Sequence, residues 1–387
     1  MKKIKKNKKE IHVAYPVFSK KDIAFVQKKV PIILNGRLST GPFTKKFEKE
    51  FSKFIGTKYA VFLNSCTSAL EISLRYLNLK KNDEVIVPTQ SFIADGSCVV
   101  ANNAKVIFAN INKETFCLDF NEIKKRYTKK TKAIILVHFG GYMPHDIEKI
   151  KNFCKKRKIF LLEDCSHSIG SQFKYLKSGS VGDCGCFSFF STKTITTGEG
   201  GMITTNNKKI YEFALAMRDR GRKINYPFEI YDKIWRNCRV PELSALVGLS
   251  QFRNIKKINS HRAKIVEVYN NYCKNSDHLE TLPLKKNSKL SIWKHIVLIK
   301  NNKIKREILQ KNLKLNYNIN INWAYYPLLH RQPIFKKNFN FKNNHLKKTE
   351  NLCNKHFHLP LHMNISLKDA HYVISALDLS IKKLLNE

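Results

Sequence analysis

The sequence predicts an α/β fold: a mostly parallel sheet of seven strands sandwiched by helices, followed by a smaller C-terminal α+β domain. Three observations carry this expectation. β-rich runs alternate along the chain with segments of helical periodicity, the pattern of a sheet covered on both faces. One run, Ile159-Phe-Leu-Leu-Glu163, is apolar without alternation until its final acid, which suits a strand buried on both sides. After about Leu249 the strand signals thin out and a long helical, Lys/Asn-rich stretch begins, so a boundary is set there.

Met1-Lys-Lys-Ile-Lys-Lys-Asn-Lys-Lys-Glu10 is a run of like charge, and 1–12 is expected to be a disordered basic tail. The large domain then spans 13–250 and the small one 251–387. Strands are expected at Ala60–Leu63, Glu84–Val87, Lys105–Ala109, Ala133–His138, Ile159–Glu163, Gly185–Phe189 and Gly201–Thr205. Leu70, Leu74 and Leu77 recur at helical spacing after the first strand, so Asn64–Thr67 occupies the turn and the first helical positions. Ile147, Ile150, Phe153 and Cys154 form a second helical stripe. No internal repeat is visible.

Three groups of residues carry chemistry. Lys193 lies in Phe187-Ser-Phe-Phe-Ser-Thr-Lys193-Thr-Ile-Thr-Thr-Gly198-Glu-Gly-Gly201, a Ser/Thr-rich stretch with glycines just after it. An amine that forms a Schiff base needs a neutral fraction, so its pKa must fall below the free value of ~10.4. Taken alone, a lysine in so basic a chain is ordinary surface charge. The second group is Asp164 and His167: Asp164 closes a strand at its carboxyl end, where ligands bind in open α/β sheets, and can hold a pyridine nitrogen protonated. As a bland alternative, Asp164 caps the next helix and His167 is a satisfied core histidine. The third is the helix start after Asn64, where free N–H groups and the dipole favour phosphate; Thr67 and Ser68 add hydroxyls there.

With these residues in view, the sequence resembles a known family. Asn64-Ser-Cys-Thr-Ser-Ala-Leu70, Val87-Pro-Thr-Gln-Ser-Phe92, Val137-His-Phe-Gly-Gly141, Glu163-Asp-Cys-Ser-His167, the Lys193 segment and Asn237-Cys-Arg-Val-Pro-Glu-Leu243 occur in the order and spacing of the DegT/StrS-type sugar aminotransferases, which depend on pyridoxal phosphate (PLP). Tyr326-Pro-Leu-Leu-His330 and Leu359-Pro-Leu361 are weaker late matches. The resemblance implies the fold-type-I PLP architecture and a homodimer whose sites lie at the subunit interface. It implies Lys193 as the Schiff-base lysine, Asp164 as partner of the ring nitrogen and His167 near the ring hydroxyl. Ser188, Cys66, Thr67 and Asn237 of the neighbouring subunit are implied as the phosphate cradle, Phe92 as the ring-stacking aromatic, and Tyr326 and His330 as substrate contacts. The activity implied is transfer of an amino group from an amino acid, glutamate by analogy, to a nucleotide-linked keto-sugar in amino-sugar and surface-polysaccharide biosynthesis. Another reaction of the same fold, such as dehydration or transfer to a cyclitol, and a non-catalytic regulator are the alternatives. Retention of Lys193, where the dehydratase branch has histidine, favours amino transfer.

The chain departs from the family pattern in three places. Cys66 stands where many relatives have Gly, Asp95 stands where a small neutral residue is usual and bears on substrate preference, and Trp235-Arg236 replaces a Gly-Tyr pair.

Composition is compatible with this reading. The net charge is +41, from 71 basic and 30 acidic residues, but the lysines are spread along the chain without an aromatic-interleaved stripe, so no nucleic-acid partner is expected. Ten cysteines are scattered, only Cys184-Gly-Cys186 is a close pair, and no zinc spacing is present; reduced buried thiols and no metal are expected. No apolar run approaches the ~18 residues of a membrane span and no signal peptide opens the chain, so a cytoplasmic protein without membrane association is expected.

Overall fold

A computed structural model of the chain describes residues 6–224, 226–338 and 343–386. Its first strands are β1 (Tyr59–Leu63), β2 (Glu84–Pro88), β3 (Lys105–Ala109), β4 (Thr131–Val137) and β5 (Phe160–Asp164). Two short strands, β6 (Gln172–Phe173) and β7 (Leu176–Lys177), precede β8 (Cys184–Ser188) and β9 (Gly201–Thr205). Seven of these form one sheet in the order β1-β9-β8-β5-β4-β2-β3. Pairing is parallel from β8 through β5, β4 and β2 to β3, while β9 runs antiparallel to both β8 and β1. β9 alone is therefore reversed, and the carboxyl ends of the other strands collect at one edge of the sheet. Lys105–Ala109 and Gly201–Thr205 have the bounds expected from sequence; the other strands shift by one or two residues, because ladder register rather than apolar content sets where a strand stops.

The strands β2, β5, β8 and β9 are buried along their whole length, as expected when helices cover both faces. The helix Ile147–Arg157 buries Ile147, Ile150, Phe153 and Cys154, the stripe read from its sequence. The helix Cys66–Arg75 buries Leu70 and Leu74 but ends at Arg75, which leaves Leu77 outside it.

One packing feature bears directly on the site. Phe47, fully buried, meets Phe62 and Phe189 at ring-centroid distances of 5.2 Å, Phe252 at 5.7 Å and Phe51 at 5.9 Å. Phe189 follows β8 and opens the Lys193 loop, so this cluster fixes where the loop departs. Phe47→Ala is expected to cost about 3–5 kcal/mol of stability by cavity formation, measurable by denaturant unfolding.

The C-terminal part contains β10 (Leu279–Thr281), β11 (Ser288–Lys289), β12 (His295–Ile299) and β13 (His356–Leu359). β10, β12 and β13 form an antiparallel sheet. β11 instead pairs with β6 and ties this part to the large sheet's side of the molecule.

The N-terminal expectation needs correction. Of the disordered tail expected over 1–12, residues 1–5 lie outside the described residues, but the chain from Asn7 onward is held in place. The Asn7 N–H donates to Tyr372 Oη at 2.9 Å, and Ile11, 5% exposed, forms a parallel bridge with Ile319. Glu10 accepts from Lys314 and Asn320. The charge run concealed Ile11 and Val13, two apolar anchors whose burial offsets the entropy of ordering the segment.

Candidate active site

The carboxyl ends of the parallel strands border a cavity of about 730 Å³ lined by Cys66, Thr67, Phe92, Asp164, Ser188 and Lys193. Six residues picked from sequence are thus brought together. β5 delivers Asp164, 4% exposed, and one of its oxygens accepts the Ser166 N–H at 2.8 Å. β1 leads into the helix Cys66–Arg75, capped by the Ser65 hydroxyl, which accepts from the Ser68 N–H at 3.1 Å. The first-turn N–H groups of Cys66 and Thr67 have no intrahelical acceptor, as at any helix start.

The loop that carries Lys193 is tied at several points. Thr197 N–H and the Thr196 hydroxyl donate to Phe189 C=O at 2.9 and 3.0 Å, and Thr196 N–H donates to Gln251 Oε1 at 2.7 Å. The Lys193 N–H donates to Phe190 C=O at 2.9 Å, and Trp293 Nε1–H donates to Thr192 C=O at 2.7 Å. Gly201 has a clear reason to be glycine: a Cβ there would lie 2.2 Å from Ser65 O and 2.5 Å from Cys66 N, closing the approach of β9 to the helix start.

Burial lowers Lys193 to about 8, against the opposing pull of Asp164, Cys66 and Asp95. The amine therefore has an appreciable neutral fraction near neutral pH, which an exposed lysine lacks. Its Nζ lies 3.9 Å from the centre of the Trp293 ring. His167 stands behind, its ring 4.1 Å from that of Trp293. Burial first, then Lys193 and Lys294, hold His167 well below its usual range, so the ring is neutral. Gly140 N–H donates to its Nδ1 at 3.1 Å, which leaves the proton on Nε2, 3.2 Å from Tyr325 Oη.

Two of the sequence departures are explained here. Cys66 is the first residue of its helix and is not among the residues of positive φ, so no glycine-only conformation is demanded. Asp95 is fully buried and does not line the cavity, so it offers no direct contact with a substrate there. Ser91 donates to one of its oxygens, and the other has no hydrogen-bond partner among the described residues. Burial and then the charge of Asp164 raise Asp95 well above the usual carboxylate range.

Two residues expected as substrate contacts lie elsewhere. His330, fully buried, cannot touch a ligand in the cavity: its Nδ1 meets the Thr89 hydroxyl and its Nε2 lies 2.8 Å from Glu350. Tyr326 is exposed, with the Arg306 guanidinium 5.1 Å from its ring centre; its neighbour Tyr325 lines the cavity instead. Asn237, expected to serve the cavity of a neighbouring subunit, is exposed and does not line the cavity of its own chain; its side-chain oxygen accepts the Arg239 N–H at 3.1 Å. Sequence reasoning also missed Trp293, Lys294, Asn322 and His12 on the cavity wall. No local signal marks them, since none sits in a motif.

Glu163, next to Asp164, has a structural role. Both its oxygens are taken by the N–H groups of Gly179, Val181 and Gly182, at 2.7–3.0 Å, and one also by His138 Nε2 at 2.8 Å. His138, Glu163 and Cys165 approach closely enough to suggest a metal cluster, yet these bonds already satisfy the carboxylate.

A sequence model of the DegT/DnrJ/EryC1/StrS aminotransferase family matches residues 21–378. The chain belongs to this family. The GDP-perosamine synthase of Escherichia coli O157:H7 is 36% identical over 231 residues, 60% of this chain and 63% of that protein. PseC of Helicobacter pylori, an aminotransferase of pseudoaminic acid biosynthesis, superposes with a TM-score of 0.89 at 26% identity, covering 97% of this chain and all of PseC. A putative sugar aminotransferase of Streptococcus pneumoniae, solved in PLP and PMP forms, superposes at 0.88 and 26% identity, covering 97% of this chain and 100% of its own in the PLP form. This member of the DegT/DnrJ/EryC1/StrS family is accordingly a PLP-dependent sugar aminotransferase with the fold of those enzymes. No helix among the described residues is long and apolar enough to cross a membrane.

Proposed function

We propose that the chain transfers an amino group from an amino acid, with glutamate as donor, to a keto-sugar carried on a nucleotide, for the synthesis of amino sugars of surface polysaccharides. The observation that carries this reading is one cavity bordered by a lysine of lowered pKa, a strand-end aspartate and an open helix start. These residues fit PLP. Asp164, a strand-end acid on the cavity wall, suits a pyridinium N–H, the N–H groups of Cys66 and Thr67 with the Ser188 hydroxyl suit a phosphate, and Phe92 offers an aromatic face. When bound, PLP supplies the electron sink for cleaving a bond at the amino-bearing carbon. Lys193 would hold the cofactor covalently, and its amine would move a proton to and from that carbon. Asp164 keeps the proton on the ring nitrogen. His167, neutral with its Nε2–H toward Tyr325, orients that phenol at the cavity wall.

We further propose a homodimer in which Asn237 of one copy completes the cavity of the other. Phe228 and Ile234, 72% and 93% exposed, and the exposed Ile230 and Tyr231 are large apolar side chains close in sequence to Asn237, which an interface there would cover. All ten cysteines are free thiols and nine are buried, which supports a reducing, cytoplasmic setting.

Assay against a panel of nucleotide-linked keto-sugars with glutamate tests the activity; no turnover on any of them would overturn the substrate class. Mixing Lys193→Ala with Asn237→Ala subunits tests the shared site. Heterodimers then hold one cavity with both lesions and one with neither, so activity should return toward half of wild type per heterodimer. Silence after verified subunit exchange would rule out sharing.

A further inference from the structure

Lys294 lines the same cavity from the residue before β12, and nothing in the reaction described so far uses it. It is 6% exposed, and its Nζ lies 4.5 Å from the centre of the Trp293 ring, the ring that Lys193 approaches at 3.9 Å. The groups that face it are Lys193 from the loop after β8, Arg262 from the helix Ile255–Lys274, His167 after β5, and His356 and His358 of β13. None is an acid. Arg262 is itself committed to Ile292 C=O and Trp293 C=O at 2.9 and 2.8 Å. Burial, then repulsion by Lys193 and Arg262, lowers Lys294 to about 7.

A buried amine among cations and neutral imidazoles is costly to charge and contributes little as a packing group, since an aliphatic chain would fill the space without that penalty. The arrangement makes sense when an anion enters the cavity. Two anions come with the proposed reaction. The diphosphate of the sugar acceptor is held off from the reacting carbon by the sugar ring. The α-carboxylate of the donor sits on the very carbon whose amine must replace Lys193, and so arrives beside the ring shared by the two lysines. We propose that Lys294 receives the α-carboxylate of the amino donor, pairing with it as an ammonium. This rests on the amino-transfer reading above. The proton comes from solvent: burial, the largest cause of the lowering, persists when Lys193 is linked to the cofactor and favours the neutral amine, the carboxylate favours the charged form, and Nζ takes up a proton as the complex forms.

The test is calorimetry of the holoenzyme with glutarate, a non-reacting dicarboxylate, at pH 8 in two buffers of different ionisation heat. Wild type should take up most of a proton per glutarate bound. Lys294→Met should bind roughly ten- to a hundredfold more weakly without uptake, and Lys294→Arg, charged at every accessible pH, should bind without uptake. Unchanged affinity or uptake in Lys294→Met would overturn the proposal. The two half-reactions separate the anions: Lys294→Met should raise the KM for glutamate and leave the step with the keto-sugar unaltered, and the reverse pattern would give Lys294 to the diphosphate instead. The calorimetric result does not depend on any sugar, so a wrong substrate class would leave it standing.

Discussion

Lys193→Ala is expected to abolish amino transfer, with a loss of roughly 10⁴-fold or more, because one side chain both holds the cofactor and moves the proton. Purified wild type should be yellow and lose that absorption on borohydride reduction, with the reduced adduct recovered on the peptide that contains Lys193. An adduct on another lysine would defeat the assignment. The pH dependence is a sharper check. Since the amine is lowered to about 8 by burial, its reactive neutral form grows as pH rises toward 8 and is nearly complete above 9. The rate at which apoprotein attaches added PLP should therefore climb through pH 7–9 and level off above that. A rate still climbing toward the ~10.4 of a free lysine would mean that the amine is solvated rather than buried.

Asp164→Asn is expected to lower turnover by about 10³-fold or more, while leaving cofactor bound through its phosphate. An amide can donate or accept a hydrogen bond but carries no charge to hold a proton on the ring nitrogen. The neighbouring acid offers no substitute, because Asp95 is buried behind the cavity wall and its carboxyl does not line it. Turnover and cofactor content measured on one preparation separate the two effects. Near-normal turnover would mean that another group faces the ring nitrogen, and loss of the cofactor would make Asp164 a binding rather than an electronic residue.

What the sequence determined by itself is local in the chain. Strand runs such as Lys105–Ala109, the stripe on the helix Ile147–Arg157, the helix start at Cys66 and the strand-end position of Asp164 follow from periodicity and turn chemistry within a dozen residues, so they could be read without coordinates. Lys193 became legible because several such local signals recur in a fixed order. Tertiary structure decided what meets them. Trp293 hydrogen-bonds a residue 101 positions away, and Lys294 comes to the same cavity from a different sheet, so neither has a local mark. Tyr325 lines the cavity while Tyr326 faces water, a choice between adjacent tyrosines that depends on which face of the segment packs against the large sheet. His330 and Asp95 look alike in sequence as polar residues near motifs, yet one is sealed between Thr89 and Glu350 and the other sits behind Asp164. The basic N-terminal run reads as solvated charge until Ile11 finds Ile319, a partner more than three hundred residues away. Burial depends on distant partners, whereas periodicity is written in neighbours; the first therefore waited for the fold, and the second did not.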